Sequence, residues 1–180
     1  MINLLNRIPV WRRLLNRARQ TGDTEPEQAI KIRLSLGVLL VLYYCLPWAG
    51  NASFSETFFS TPSLIALNYY LIAILLVVAI IRNPVPSPPR RVMGIALDMC
   101  SLSAVMFLAG STSVLLFVLY LWVILGNGFR YGTKYLYISL TIALMGFVPA
   151  ITWGDYWQHN QSIAISLLMI LVVLPLYSAF

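Results

Sequence analysis

The stretch LIALNYYLIAILLVVAIIRNPVPSPPRRVMGIALDMCSLSAVMFLA, residues 64–109, decides the architecture of this chain. It holds two apolar runs, 64–81 and 92–109, separated by Arg82, Arg90 and Arg91. A helix of about 20 apolar residues crosses the hydrocarbon of a bilayer. Working outward, four more apolar runs repeat the plan, at about 34–49, 114–129, 135–152 and 161–180. The bases fall at alternate connections. Arg7, Arg12, Arg13, Arg17, Arg19, Lys31 and Arg33 precede the first run, and Arg130 and Lys134 separate the fourth from the fifth. The other three connections carry no Lys or Arg; they hold Glu56, Gly110-Ser111-Thr112-Ser113, and Asp155 with His159. Short loops rich in Lys and Arg stay cytoplasmic. The pattern predicts an all-α, polytopic transmembrane helical bundle of six spans with the N- and C-termini in the cytoplasm.

Composition agrees. The chain is 59% hydrophobic and 10% charged, against about 25% charged in a soluble domain, and its mean hydropathy is +0.80. Six spans use about two-thirds of the 180 residues, which leaves no room for a soluble catalytic domain. The net charge of +6 does not indicate nucleic acid, because the bases sit on cytoplasmic flanks beside anionic lipid. The first long apolar run starts behind seven bases with no A-x-A-like site after it, so no signal peptide is expected. Cys45 and Cys100 fall inside predicted spans, where buried apolar Cys is usually inert. Asn51-Ala52-Ser53 matches a glycosylation sequon, which three residues support only weakly.

Residues 1–22 form a separate segment. From Pro9, the residues Val10, Trp11, Leu14, Leu15 and Ala18 share one helical face, and Arg12, Arg13, Asn16, Arg17 and Arg19 share the other. A basic amphipathic helix of this kind lies in the membrane surface. Thr21-Gly22-Asp23 breaks it. Thr24 and Glu27 then have the spacing of a capping box, so the transmembrane bundle is read as residues 23–180, with Lys31 and Arg33 snorkelling to the interface. Asn83 to Pro89 reads as a stiff, extended cytoplasmic linker, because proline lacks an amide proton and restricts its predecessor. Gly110 to Ser113 predicts a tight turn that packs spans 3 and 4 as an antiparallel hairpin. Span 4 is short, and Pro149 and Pro175 sit where they would kink spans 5 and 6. Trp48, Tyr69, Tyr70, Trp122, Tyr131, Tyr135, Trp153, Tyr156 and Trp157 gather near span ends, and most read as interface anchors.

Asp98 is the one acid inside a span. It lies seven residues past Arg91, about 10 Å below the cytoplasmic surface at helical rise. A charge at that depth is costly and marks function or a partner. Asn127 and Arg130, three residues apart on one helix face, are the candidate partners. Two readings stay open: a lock between spans 3 and 4, or a signalling switch. Gly126-Asn127-Gly128-Phe129-Arg130-Tyr131-Gly132 suggests a close-approaching, non-helical turn able to hold an anion through Arg130 and free amides, or else a helix C-terminus capped by glycine. His159 near Asp155 reads as a surface residue. No metal site is expected, since metal sites need several converging ligands. No catalytic residues and no cofactor are expected either.

Together these pieces resemble the membrane input region of Rpf-type hybrid sensor histidine kinases, the bacterial quorum-sensing receptors for diffusible signal factor, a cis-2-unsaturated fatty acid. The resemblance covers nearly the whole chain. It rests on Asp23-Thr24-Glu25-Pro26-Glu27-Gln28 after a short basic segment and on Leu97-Asp98 in span 3. It continues through Leu121-Trp122-Val123-Ile124-Leu125-Gly126-Asn127-Gly128-Phe129-Arg130-Tyr131-Gly132, Tyr135-Leu136, and Pro175-Leu176-Tyr177. It implies signal recognition by the N-terminal segment, which points to Asp23, Thr24, Glu25 and Gln28; Glu27 has no counterpart in the pattern. A fatty acid is anionic near neutral pH and is repelled by Asp23 and Glu25, so charge favours Arg17, Arg19 or free helix amides as the direct contact. The family is drawn with five spans and an outward N-terminus; five spans with the C-terminus inside would put seven bases outside here unless spans 3 and 4 fuse or one segment is re-entrant.

The resemblance further implies a bacterial inner-membrane protein whose chain stops before a cytoplasmic kinase module, a homodimer through that module, and a signal synthase and a response regulator as partners of the parent protein. Other readings are a small transporter or channel subunit, the sensor domain of a cyclic-dinucleotide enzyme, or a lipid-acting membrane enzyme built on Asp98 and Arg130.

Overall fold

A computed structural model describes residues 33–42, 59–83 and 87–179. Those residues form helices α1 (Arg33–Leu42), α2 (Thr61–Arg82), α3 (Pro88–Ala109), α4 (Phe117–Tyr131), α5 (Thr133–Trp153), α6 (Asp155–His159) and α7 (Gln161–Ser178), with a 3-10 segment, Gly110–Leu116, joining α3 to α4. No strand occurs among the described residues. The all-α expectation therefore holds. Among the described residues, four helical runs are long and apolar enough to cross a membrane: Thr61–Ile80, Pro88–Tyr131, Thr133–Trp153 and Gln161–Ser178. The six expected spans reduce to these four for two reasons. α1 covers ten described residues, about 15 Å, and residues 43–58 lie outside the description. The third and fourth spans are one continuous 44-residue run.

The chain divides into two compact units, residues 1–59 with 66–88, and residues 60–65 with 89–180. In the first, α1 buries Arg33, Leu36 and Leu40 at three- and four-residue intervals, and α2 buries Ala66, Tyr69, Ala73, Val77 and Ile80. Such spacing keeps one helical face covered. Gly37 brings α1 against α2: a Cβ there would collide with the ring of Tyr70. Arg33 is 8% exposed, so it does not snorkel outward as its sequence position suggested.

In the second unit the 44-residue run doubles back. The hydroxyls of Ser103 and Tyr120 are 2.6 Å apart, and the Arg91 guanidinium lies 4.0 Å from the Tyr131 ring. A straight helix would hold the first pair about 25 Å apart. Both pairs centre on residues 111–112, inside the 3-10 segment. Gly110 makes the turn at φ +55°, a conformation open to glycine at little cost. The expected hairpin is thus present, with a turn longer than Gly110–Ser113 and α4 starting at Phe117. α4 has 15 residues, about 22 Å, which agrees with a short fourth element.

One local expectation is corrected, and one that was open is decided. Pro88 and Pro89 open α3 rather than extending the linker; in a first helical turn the missing amide proton costs nothing. Of the two readings of the Gly126–Gly132 string, the glycine-capped helix C-terminus is the one present, with the helix running through Tyr131. Its break comes at Gly132, φ +88° and ψ 172°, where the amide closes α4 on the carbonyl of Gly128, 2.9 Å away. Gly128 sits against Leu136, so α4 and α5 leave the turn in close approach.

α5 presents Ser139, Ala143, Gly146 and Ala150 along one side. A Cβ on Gly146 would run into the side chain of Ser103, so α3 and α5 meet nearly backbone to backbone, as small residues allow between membrane helices. Pro149 and Pro175 lie inside α5 and α7. The predicted outer loop at 155–160 contains the short helix α6. Its Trp157 is fully buried, and so is Tyr69 in the first unit; neither is an interface anchor. Rings of Phe117, Tyr120, Phe147, Trp157 and Tyr156 form a chain with centroids 5.1–6.2 Å apart, the tilted and edge-on spacing that aromatic quadrupoles favour. Cys100 is exposed, where burial was expected.

Candidate functional site

The bases of the second unit gather at one end. Arg90 and Arg91 start α3, Arg130 ends α4 and Lys134 starts α5, so all four flank the Gly132 end of the hairpin. Asp155 and His159 lie on α6, whose Trp157 bonds Met106 near the Gly110 end. The basic end is ordered by stacking. The Arg91 guanidinium lies over Tyr131 at 4.0 Å and over Tyr135 at 4.6 Å, and the two rings meet edge-on with centroids 5.7 Å apart. Cation–π attraction of this kind strengthens as water is excluded.

Asp98 lies seven residues along α3 from Arg91, on the same face. It is 5% exposed and engaged with a partner. Asn127, on α4, is 7% exposed. The hairpin register sets Asp98 level with Ile124 and Leu125, one turn from Asn127. Arg130 extends toward that level: its Nη2 lies 2.6 Å from where a Cβ on Gly126 would be. A side chain at 126 would displace the guanidinium, so glycine is what lets Arg130 fold back along its own helix. The structure thus places a buried carboxyl, a buried amide and a folded-back guanidinium within two turns of one another on neighbouring helices.

A second polar cluster lies deeper. Ser103 donates its proton to the carbonyl of Met99, 2.7 Å away. Its one proton being committed, Ser103 accepts from Tyr120, which donates across 2.6 Å. Toward the other end, the Trp157 Nε1–H donates to the carbonyl of Met106 at 2.8 Å. That carbonyl belongs to the last turn of α3, where helical partners run out, so the indole serves as a cap delivered from 51 residues away. Sequence reasoning missed both features. A Ser-to-Tyr spacing of 17 residues across a turn was the available signal for the first.

His159 and Asp155 are exposed, with His159 Nδ1 2.8 Å from the Asp155 carbonyl oxygen and 3.9 Å from its carboxylate. Among the described residues no group of three metal-binding side chains converges. The predicted ligand contacts Arg17, Arg19, Asp23, Thr24, Glu25 and Gln28 lie outside the described residues, as do the surface helix 1–22, the Thr24 cap, the sequon and Cys45.

No family model matches the chain, and no solved structure matches it. It is 34% identical over 166 residues to the sensory/regulatory protein RpfC of Xanthomonas campestris pv. campestris, both in strain ATCC 33913 and in strain 8004. The match takes in 92% of this chain and 22% of each relative. The chain therefore spans about a fifth of the length of the curated relatives it matches.

Proposed function

Because the chain belongs to the Rpf-type sensory/regulatory family, we propose that it is the membrane input domain of a hybrid sensor histidine kinase. One observation carries this reading: the likeness runs through 92% of the chain, so nearly every segment described above is shared material. In this account the 44-residue run counts as two crossings, α1 begins a further one, and the bundle crosses the inner membrane six times. The basic Gly132 end, the N-terminus and the C-terminus all face the cytoplasm.

The signal is an amphiphile of the cis-2-unsaturated fatty-acid class, recognised by the N-terminal segment through Arg17, Arg19, Asp23, Thr24, Glu25 and Gln28. Binding favours one of two packings of the bundle, which a ligand can do only by preferring one of them. Asp98, Asn127 and Arg130 form the element that differs between the packings, and α7 passes the change to a cytoplasmic dimer that phosphorylates a response regulator. The test is fatty-acid binding to the intact chain and to one lacking residues 1–28, both in nanodiscs. The account expects affinity to fall at least about tenfold on truncation, or about 1.4 kcal/mol. Equal affinity would remove the N-terminal site.

A further inference from the structure

We infer that Arg33 is the counter-ion for the acidic head of a membrane amphiphile, a carboxylate or phosphate whose apolar tail lies in the bilayer. This rests on, and deepens, the proposal that the chain senses a lipid-like acid. Arg33 opens α1 and is 8% exposed, with its Nε buried and making no hydrogen bond. Buried polar groups are almost always hydrogen-bonded, and each exception calls for an explanation. Arginine cannot relieve the cost by losing its proton as a buried lysine or carboxyl can. Burying a polar group is costly unless it is hydrogen-bonded, so this Nε donor calls for an acceptor.

The geometry suits an oxyanion in particular. A guanidinium binds carboxylate or phosphate with two parallel N–H donors, and the side-on pair includes Nε. The surroundings favour an anion with a tail over a soluble ion. One and two turns along α1 from Arg33 stand Leu36 and Leu40, both buried, while Val38, Leu39 and Leu42 on the same ten-residue helix are exposed and apolar. α1 approaches α2 at Gly37, four residues on, where only a missing side chain admits the Tyr70 ring. The basic corner around Arg91 differs: its cation already rests on two rings.

The experiment uses the full chain in phosphatidylcholine nanodiscs. A medium-chain cis-2-unsaturated fatty acid and the alcohol of the same chain are titrated against wild type, Arg33→Gln and Arg33→Lys. Retained phosphatidylglycerol is measured by native mass spectrometry in discs containing both lipids. Wild type should bind the acid at least about tenfold more tightly than the alcohol, Arg33→Gln should lose that preference, and Arg33→Lys should keep part of it. Without added fatty acid, Arg33→Gln should unfold at the same temperature as wild type or higher, because a buried donor without a hydrogen bond has gone; a structural ion pair would give a lower one. Fatty acid should raise the unfolding temperature of wild type and leave that of Arg33→Gln unchanged.

If wild type binds no fatty acid but retains phosphatidylglycerol in an Arg33-dependent way, the counter-ion site stands and the sensing proposal falls. Wild-type-like acid preference in Arg33→Gln, or the absence of any Arg33-dependent binding of acid or lipid, overturns the inference.

Discussion

Replacing Gly146 by alanine tests the packing that holds the bundle together. In an ordinary helix interior the change stabilises by about 1 kcal/mol, since glycine is the poorer helix former. Here the new methyl would overlap the Ser103 hydroxyl and stand 2.7 Å from its Cβ. Overpacking of that kind costs about 1–3 kcal/mol. Moving Ser103 aside also strains the Tyr120 bond, and an interhelical bond in a bilayer contributes about 0.6 kcal/mol on average and about 1.7 at most. The two penalties outweigh the propensity gain, so Gly146→Ala should destabilise by about 1–3 kcal/mol, read by reversible unfolding in bicelles. A double-mutant cycle isolates the cause. Ser103→Gly removes both clashing atoms and should recover most of the loss in combination with Gly146→Ala. Ser103→Ala leaves the Cβ and should recover less. A stabilised Gly146→Ala, or equal rescue by the two partners, would refute the close approach of α3 and α5.

Other outcomes follow from the same structure. Trp157→Phe keeps an apolar ring but removes the indole donor to Met106, and should lower stability by about 1 kcal/mol in the same unfolding assay. Gly132→Ala places a side chain at φ +88° and ψ 172°, a region essentially reserved for glycine, and should destabilise by about 1–3 kcal/mol; a neutral effect would place the α4–α5 turn elsewhere. On the proposed sensor reading, Asp98→Asn in a kinase carrying this domain should change basal autophosphorylation and shrink its response to fatty acid. An unchanged response would leave Asp98 a packing role.

The parts of this fold that were legible in the sequence are those set by composition over many residues. Apolar runs and alternating basic connections give the helices and the gathering of the bases at one end of the second unit. Gly110 gives the reversal, and the brevity of the run after it gives the short α4. What stayed hidden depends on one side chain meeting a distant one. Trp157 stands among polar residues near a span end, where an interface tryptophan would stand equally well, and only its bond to Met106 makes it a core residue. Pro88 and Pro89 look like linker until helix starts are considered, since there proline fits without loss. Gly126 reads as a turn former, yet it serves inside a helix as the bed for Arg130. Asp98 stands out in the sequence, because a lone acid in an apolar run needs no partner to be noticed. Arg33 was misplaced because basic residues before a span usually reach for water, and whether this one does depends on what covers it.

The central claim is that the 44-residue run crosses the membrane twice, with its basic end inside the cell. The most direct measurement labels single cysteines in a background with Cys45 and Cys100 replaced by serine. One cysteine stands at Ser111 and the other at Lys134, probed with an impermeant maleimide in right-side-out and inverted vesicles. Ser111→Cys should react only in right-side-out vesicles and Lys134→Cys only in inverted ones. Reaction of both from the same face would contradict the hairpin crossing and, with it, the proposed arrangement of the sensor.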